Sequence, residues 1–311
     1  MQVTVGICTW NRAALLRETL GSLTRLSLPP GLAWEVLVVD NGPCDETESV
    51  VREFGGKLPI RRVIERVPGL SNARNRCVDE ARGDYLLWTD DDVRAGTGWL
   101  REYARAFAQH PDAAVFGGPV RPSFEGSPPA WLTAIWPQVC SAYGIRDLGA
   151  AVAPLAPHGL PFGSNYAVRR AEQVRHRYDP RFGRNRDALI GGEEVAVLDA
   201  ILCEGGLGWW LPDAPVDHWI PRARQTTRYL ERYYHAQGKV ALRRSPERAD
   251  GKPELFGRPL WLWRQALEAE ATYRRDRALR APEGWVPSLV RASTAWGMFA
   301  EWTARGARPR R

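Results

Sequence analysis

The first ninety residues alternate between apolar runs that are typical of buried strands and segments with the periodicity of a helix. Three of these runs are VTVGIC from residue 3, EVLVVD from residue 35 and DYLLWT from residue 84. Strands that alternate with helices form a largely parallel sheet, which helices cover on both faces. Because ligands bind beyond the carboxyl ends of the strands in such sheets, the residues that follow each run are the first candidates for a site.

Polar side chains stand at the ends of all three runs: TWNR at 9–12, DN at 40–41 and DDD at 90–92. The first and third carboxylates of the acidic triplet lie on the same side of an extended backbone, where they can share one Mg²⁺ or Mn²⁺ ion. A solvated acidic loop is the alternative for the triplet. Asp40 either accepts hydrogen bonds from a ribose or a base, or begins an Asn-Gly-Pro turn.

Five motifs follow one another along the chain: VTVGICTWNR, VLVVDNG, GLSNARNRCVDEARGDYLLWTDDDV, FGSNYAVRR and GGEEVAVLDAILCEGG. Together they resemble the family 2 glycosyltransferases over about residues 3–220. The resemblance implies an α/β fold of the GT-A type, with a Rossmann-like mixed sheet. It also implies that a sugar is transferred with inversion from a nucleotide-diphosphate donor to a hydroxyl-bearing acceptor, with Mn²⁺ or Mg²⁺ as the cofactor. The acceptor is open between a glycan, a lipid-linked molecule and a small molecule.

The resemblance also assigns roles by position. The residues expected to bind the nucleotide sugar are Thr9, Asn11, Arg12, Asp40, Arg74, Asp90 and Asp91. The residues expected to hold the metal are Asp90, Asp92 and His218, although this histidine also suits an ordinary half-buried position. Glu194 is expected to be the general base with Glu193 as the alternative, although acids in a first turn also suit the helix dipole. Asn41 stands where the family commonly has a second Asp, and Glu194 stands where the base is commonly Asp.

Residues 121–162 are rich in Pro, Gly and Trp, which predicts a long loop region rather than regular elements. Aromatic rings there either stack on the sugar of an acceptor or pack beneath the loop. Our acceptor candidates are Trp131 in this region and Asn165 and Tyr166 in the FGSNYAVRR motif.

After residue 221 the sequence becomes helical and rich in arginine. We predict helices at 226–244, 259–280 and 285–304, and two domains: a GT-A domain at 1–221 and a helical C-terminal region at 222–311. Trp and Arg side chains share these helices. They either contact an anionic membrane surface or pack the appendage together, and both interpretations stay open.

Composition narrows the possible locations, partners and functions of the protein. Five scattered cysteines without a C-x-x-C pair, no signal-peptide pattern and no long apolar run predict a cytoplasmic protein, at most peripheral at the inner face of the membrane. The net charge of +7 suits an anionic ligand or a membrane surface, and we expect no nucleic acid as partner. The alternatives to a glycosyltransferase are a nucleotidyltransferase and an inactive basic scaffold that binds membranes or nucleic acid.

Overall fold

The computed structural model describes residues 1–42, 45–156, 159–181, 192–244 and 253–306. Its contacts divide the chain into two compact units. The first unit contains the described residues within Met1–Ser123, Gly144–Asn185 and Gly192–Trp219. The second unit contains the described residues within Phe124–Tyr143 and Ile220–Arg311. The domain boundary at residue 221 stays a prediction, and the contacts group Phe124–Tyr143 with the C-terminal helices.

The predicted alternation of strands and helices is confirmed in the first ninety residues. In chain order the elements are β1 (Gln2–Trp10), α1 (Ala13–Leu23), β2 (Ala33–Gly42), α2 (Asp45–Phe54), β3 (Ile60–Ile64), α3 (Leu70–Glu80) and β4 (Tyr85–Asp90). β1 pairs in parallel with both β2 and β4, and β2 pairs in parallel with β3. Val36, Leu37 and Val38 are all fully buried, as expected for strands that are covered on both faces.

The rest of the first unit turns this parallel half into a mixed sheet. The elements that follow along the chain are β5 (Val93–Ala95), α4 (Trp99–Gln109), β6 (Ala113–Gly117), β7 (Val120–Phe124), α5 (Ala130–Ala134), α6 (Trp136–Val139), β8 (Ala153–Pro154), β9 (Tyr166–Arg169), α7 (Arg170–Arg175), α8 (Glu193–Cys203), β10 (Leu207–Trp210) and β11 (Val216–Ile220). Of these, α5 and α6 belong to the second unit. The large sheet has the order β3-β2-β1-β4-β9-β6-β10-β8, and β9 runs antiparallel to both β4 and β6.

Helices bury both faces of this sheet. On one face, Leu16 and Leu20 of α1 join Trp99 and Phe107 of α4 in a cluster of buried side chains. On the other face, α3 and α8 contribute a second cluster that includes Val78. Most of the apolar surface removed from water in this unit therefore lies in two layers, one on each face of the sheet. The packing of these layers fixes the positions of the strand ends.

Strand register brings the polar strand ends together. Thr9 of β1 pairs with Asp40 of β2, and Cys8 of β1 pairs with Asp90 of β4. β5, which begins directly after the acidic triplet, belongs to a small sheet with the order β5-β11-β7. There Val93 pairs with His218, so that this histidine reaches the triplet from a strand more than one hundred residues later.

The second unit is largely helical. Its C-terminal elements are α9 (Thr227–Arg244), β12 (Glu254–Leu255), β13 (Arg258–Pro259), α10 (Leu260–Leu279) and α11 (Pro282–Gly306), which confirm the three predicted helices within a few residues. In the described part of the chain, no helix combines the length and the apolarity that spanning a bilayer demands.

The prediction of a long irregular loop at 121–162 is wrong for its described part. That stretch contains most of β7, two short helices, a 3-10 helix at Cys140–Tyr143 and the two-residue strand β8. Pro129 directly precedes α5, and Pro137 lies in the first turn of α6. Proline is compatible with a helix at these positions because the first amide groups have no partner within the helix.

Candidate functional site

The three carboxylates of the acidic triplet point to different partners. Asp90 accepts a hydrogen bond of 2.6 Å from the Ser164 hydroxyl. Asp91 accepts one of 2.7 Å from the Thr9 hydroxyl and pairs with the Arg12 guanidinium. The same guanidinium lies 3.0 Å from the second carboxylate oxygen of Asp92. Arg12 therefore joins the end of β1 to the end of β4.

The middle carboxylate is the most deeply placed of the three. Asp91 is 3% exposed, and burial raises the pKa of Asp91 to about 6 even though the charge of Arg12 favours the ionised form. A buried carboxylate is stable only when it is paired and hydrogen-bonded, which Arg12 and Thr9 provide. These contacts fasten the triplet, and the predicted contacts of Thr9, Arg12 and Asp91 with a nucleotide stay predictions.

Asp92 and His218 offer two metal-ligating atoms side by side. The Nε2 atom of His218 lies 3.2 Å from the Oδ1 atom of Asp92, and both side chains are almost fully buried. The Nδ1 atom of His218 is buried and has no hydrogen-bond partner among the described residues. Within those residues, His, Cys, Asp and Glu form no group of three or more that could hold a metal. Two ligands suffice for a cation such as Mg²⁺, which binds through one or two protein groups plus substrate phosphates and water.

Asp40 is fully buried at the end of β2. Its Oδ2 atom accepts hydrogen bonds from the Nε and Nη2 atoms of Arg62, at 3.1 and 2.9 Å. Its Oδ1 atom has no partner within the described residues. An unpaired buried oxygen is unfavourable by roughly 1–3 kcal/mol, so this atom is suited to a donor from a ligand.

The amide of Asn41 connects this strand end to the start of α3. Its Nδ2 atom donates to the carbonyl oxygens of Glu65 and Val67, and its Oδ1 atom accepts from the amide of Gly69. A second aspartate, which is common here in the family that the sequence resembles, has no N–H to donate to the two carbonyls. Asn41 therefore positions the segment that leads into α3. Asn11 lies at the tip after β1 in the left-handed region, with φ of 49°, which asparagine tolerates.

Arg74 lies on α3 and is buried in an ion pair with Glu193. Its Nη1 atom is 2.8 Å from Glu193 and 3.8 Å from Glu194. The rings of Trp88, Tyr166 and Tyr178 surround the guanidinium at centroid distances of 5.4–6.0 Å. Planar guanidinium groups suit such aromatic surroundings.

The two glutamates at the start of α8 differ in exposure. The Glu193 side chain is 3% exposed and the Glu194 side chain is 14% exposed. A side chain at Gly163 would meet both Arg74, at 2.7 Å, and the Glu194 carboxylate, at 3.5 Å. The bare backbone at Gly163 therefore lets the FGSNY segment lie directly against Arg74 and Glu194.

Cys8 lies among these charged groups on β1. Desolvation raises the pKa of the Cys8 thiol to about 12, opposed by Arg74 and reinforced by the carboxylate of Asp90. The thiol therefore stays protonated at neutral pH and is not an activated nucleophile.

The acceptor candidates lie in different surroundings. Asn165 is fully buried: its Oδ1 atom accepts from Trp99 and Tyr103, and its Nδ2 atom donates to two backbone carbonyls. The hydroxyl of Tyr166 is buried against that of Tyr178. These contacts give Asn165 and Tyr166 structural roles. Trp131 lies on α5 in the second unit, and its contact with an acceptor stays a prediction.

Replacing Asn165 with alanine is expected to destabilise the fold by roughly 3–5 kcal/mol, because the buried donors of Trp99 and Tyr103 and the carbonyl of Ala214 lose their partner. The carbonyl of Pro119 keeps its hydrogen bond from the Val216 amide. Denaturant unfolding of the variant measures the loss. The control is Asn72→Ala, which removes one exposed hydrogen bond to Pro68 and is expected to change stability by less than about 1 kcal/mol. Equal losses in both variants would contradict the structural role of Asn165.

Two partners of the site were absent from the sequence-based prediction. Ser164, which binds Asp90, lies inside the FGSNYAVRR motif and could have been found by extending the candidates one residue. Arg62 had no such signal, because β3 is a weak strand and its contact with Asp40 depends on the register between β2 and β3.

Comparisons with known proteins agree with this architecture. The model of the family described as Glycosyl transferase family 2 matches residues 4–189. The succinoglycan biosynthesis protein ExoM of Rhizobium meliloti is 26% identical over 257 residues, which cover 81% of this chain and 77% of that protein. Validoxylamine A glucosyltransferase of Streptomyces hygroscopicus is 36% identical over 118 residues, but these cover only 37% of this chain and 26% of that protein.

Solved structures show the same fold at low identity. The mannosyltransferase PcManGT of Pyrobaculum calidifontis, solved with GDP-Man and Mn²⁺, is 19% identical with a TM-score of 0.57 over 98% of this chain and 87% of that one. Residues 1–349 of TarS from S. aureus are 16% identical with a TM-score of 0.53 over 100% of this chain and 93% of that one. Likenesses at this level of identity show the fold alone.

Proposed function

This chain belongs to glycosyl transferase family 2 and has the GT-A fold, and from this premise we propose that it is an inverting, metal-assisted transferase. The donor is a nucleoside-diphosphate sugar, and the acceptor is a hydroxyl group on a glycan or a lipid-linked saccharide. The observation that carries this proposal is the convergence of Asp92 with His218 and of Arg74 with the two glutamates at the carboxyl ends of the central strands.

The nucleoside end of the donor is assigned to the end of β2. The Oδ1 atom of Asp40 has no partner among the described residues, which supports a hydrogen bond from a ribose hydroxyl or a base N–H. Asn41 holds the segment before α3, whose first amides favour an anion such as a diphosphate. The relative solved with GDP-Man and Mn²⁺ supports this donor class without specifying the base for this chain.

Asp92 and His218 are the residues that we assign to a divalent cation, with Asp90 two residues before Asp92 as a further ligand. An oxygen and a nitrogen ligand suit Mn²⁺, and a single carboxylate suits Mg²⁺. When it is bound, such a cation supplies positive charge to the departing diphosphate. Arg12 pairs with Asp92 and with the intervening Asp91, and adds a fixed positive charge beside the site.

Glu194 is assigned the role of the general base, which takes the proton of the acceptor hydroxyl. In an inverting reaction the acceptor oxygen bonds to the anomeric carbon as the bond from that carbon to the diphosphate oxygen breaks, and the proton passes to the base. Glu193 is engaged by Arg74 at 2.8 Å, whereas Glu194 lies 3.8 Å away and is more exposed. Arg74 therefore acts as a positioning residue for the start of α8, which leaves Glu194 to face the acceptor.

Relatives suggest the class of acceptor. One relative bears the name of a succinoglycan biosynthesis protein, and another, of Haloferax volcanii, is a glucosyl-dolichyl phosphate glucuronosyltransferase that is 25% identical over 212 residues. A growing saccharide, free or carried on a lipid, fits both names. We therefore expect the acceptor to be the hydroxyl of a saccharide.

Thermal unfolding with a panel of nucleoside diphosphates, each with and without Mn²⁺, tests the donor class. A ligand at 100 times its Kd stabilises the native state by about 2.7 kcal/mol, which raises the Tm of a chain of this size by several degrees. We expect one diphosphate to produce such a shift and Mn²⁺ to enlarge it. No shift with any diphosphate would contradict the proposal. In a turnover assay, release of a nucleoside diphosphate rather than pyrophosphate distinguishes this reaction from nucleotidyl transfer.

A further inference from the structure

The aromatic side chains of the C-terminal helices pack against one another. Phe299 of α11 is 9% exposed and meets the ring of Trp263 of α10 at 4.6 Å. The indole of Trp296 donates to Glu270, and that of Trp302 donates to the carbonyl of Gly257. These contacts favour the packing interpretation of the aromatic residues over a role for the helices as a membrane surface.

The most exposed of the large apolar side chains in the described part of the chain lies elsewhere, at the hairpin that precedes α10. Phe256 is 82% exposed, and Leu255 beside it is 45% exposed. Phe256 and Gly257 form the two-residue turn between β12 and β13, and both have positive φ, at 51° and 69°. Such turns favour Asn-Gly, and a phenylalanine there is strained. The ring of Phe256 meets that of Trp263 edge-on at a centroid distance of 6.4 Å, but this one contact leaves most of the Phe256 side chain in water.

The hairpin is held firmly although its tip is exposed. The indole of Trp263 donates to the carbonyl of Leu255 at 2.9 Å, and that of Trp302 donates to the carbonyl of Gly257 at 2.8 Å. The guanidinium of Arg258 lies 4.2 Å from the centroid of the Phe299 ring. The turn therefore projects Phe256 from a fixed base.

The exposed face of α10 continues this surface. Leu260 and Leu267, which are 46% and 53% exposed, lie seven residues apart on one side of the helix, and Arg264 lies between them. The Arg264 side chain is 79% exposed and pairs with Glu268 on the surface. Such a pair contributes little to the free energy of unfolding. Leucine and arginine thus share one stripe beside the hairpin.

The charge of the chain is concentrated in the same region. Residues 222–311 contain 20 Lys and Arg against 9 Asp and Glu, whereas residues 1–221 contain 23 against 27. The whole net charge of +7 therefore arises from the C-terminal region. A projecting apolar tip on a region of positive net charge complements an anionic bilayer surface, where apolar groups enter the interface and cations meet the headgroups.

We propose that Leu255, Phe256, Leu260 and Leu267, the hairpin surface, insert into the interface of a membrane that contains anionic lipid. A second copy of the chain is the rival occupant. The projecting turn and the positive charge on both copies argue against self-association, because like charges would face each other. The inference rests on the second unit alone and is independent of the proposed reaction.

Co-sedimentation of the full chain with vesicles of phosphatidylcholine, with and without phosphatidylglycerol, tests the proposal. We expect binding to the anionic vesicles at low salt and weaker binding as salt rises. Phe256→Asn suits the positive φ of the turn, so this variant should keep its Tm while its vesicle partition coefficient falls roughly 10- to 100-fold.

Leu279→Asn is the matched control. Leu279 is 75% exposed and lies at the far end of α10, about 30 Å from the hairpin, so its replacement should leave vesicle binding unchanged. Binding of Phe256→Asn that equals that of the original chain would overturn the proposal, as would failure of the original chain to bind anionic vesicles. A dimer in sedimentation velocity that Phe256→Asn dissociates would assign the surface to a second copy instead.

Discussion

Glu194→Gln is expected to lower kcat by about 10²–10⁴-fold, because glutamine keeps the shape of the side chain but cannot accept the acceptor's proton. Glu194 is only 14% exposed and lies 3.8 Å from Arg74, so its amide analogue loses no short ion pair. We therefore expect an unchanged Tm and an unchanged Kd for the nucleoside diphosphate. Steady-state kinetics with a saccharide acceptor, together with calorimetric titration of the diphosphate, measure these quantities.

Glu193→Gln is the informative control, because the substitution is at the preceding position and breaks a different contact. It removes the charge that faces Arg74 at 2.8 Å inside the protein. Breaking a buried pair costs about 3–5 kcal/mol, so this variant should lose several degrees of Tm. Its loss of activity should accompany that loss of stability. A stable but inactive Glu193→Gln beside a fully active Glu194→Gln would move the role of base to Glu193.

The sequence predicted those parts of the fold that depend on local pattern. The apolar runs at residues 3, 35 and 84 became β1, β2 and β4, because strands buried on both faces must be apolar throughout. Their polar ends meet because adjacent parallel strands end at one edge of the sheet, as Thr9 beside Asp40 shows. A ligand site at this edge was therefore predictable from strand order alone.

The partners of the site residues were harder to predict. Arg62 reaches Asp40 through the register of β2 with β3, and Arg74 reaches Glu193 across 119 residues of sequence. No local periodicity encodes such contacts. The sequence also suggested Asn165 as an acceptor residue. An asparagine in a motif looks the same whether it faces a ligand or accepts hydrogen bonds in the core, as Asn165 does from the Trp99 indole and the Tyr103 hydroxyl.

The sequence left the role of the aromatic residues in the C-terminal region open. Trp and Arg in the helices were compatible with either a membrane surface or packing, and Trp261, Trp263, Trp296 and Trp302 pack in a cluster with side chains of α10 and α11. The most exposed large apolar side chain of the described residues is Phe256, and a count of Trp and Arg gives no sign of its position at a turn with positive φ. Composition alone therefore left the role of these residues open, and the contact of Phe256 with a membrane is our proposal.

Asp92→Asn is expected to reduce turnover by at least about 100-fold and to remove the extra thermal shift that Mn²⁺ adds to the nucleoside diphosphate. An amide oxygen is neutral and binds a divalent cation weakly, and metal assistance contributes several kcal/mol to the transition state, at 1.36 kcal/mol for each tenfold in rate. The fold should persist, since Arg12 keeps its pair with Asp91 when the charge of Asp92 is lost. Thermal unfolding with and without Mn²⁺ separates loss of the cation from loss of the fold.

Asp84→Asn provides the matched control for this prediction, because Asp84 immediately precedes β4, at the end of the strand opposite to the triplet. Its side chain is 64% exposed and accepts a hydrogen bond from the Gln2 amide, so its replacement should leave both turnover and the effect of Mn²⁺ unchanged. If Asp92→Asn retains full turnover, or if the original chain turns over equally well in a chelator, then Asp92 and His218 do not hold a catalytic cation. Their approach to 3.2 Å would in that case be a buried polar contact that fixes β11 beside the triplet.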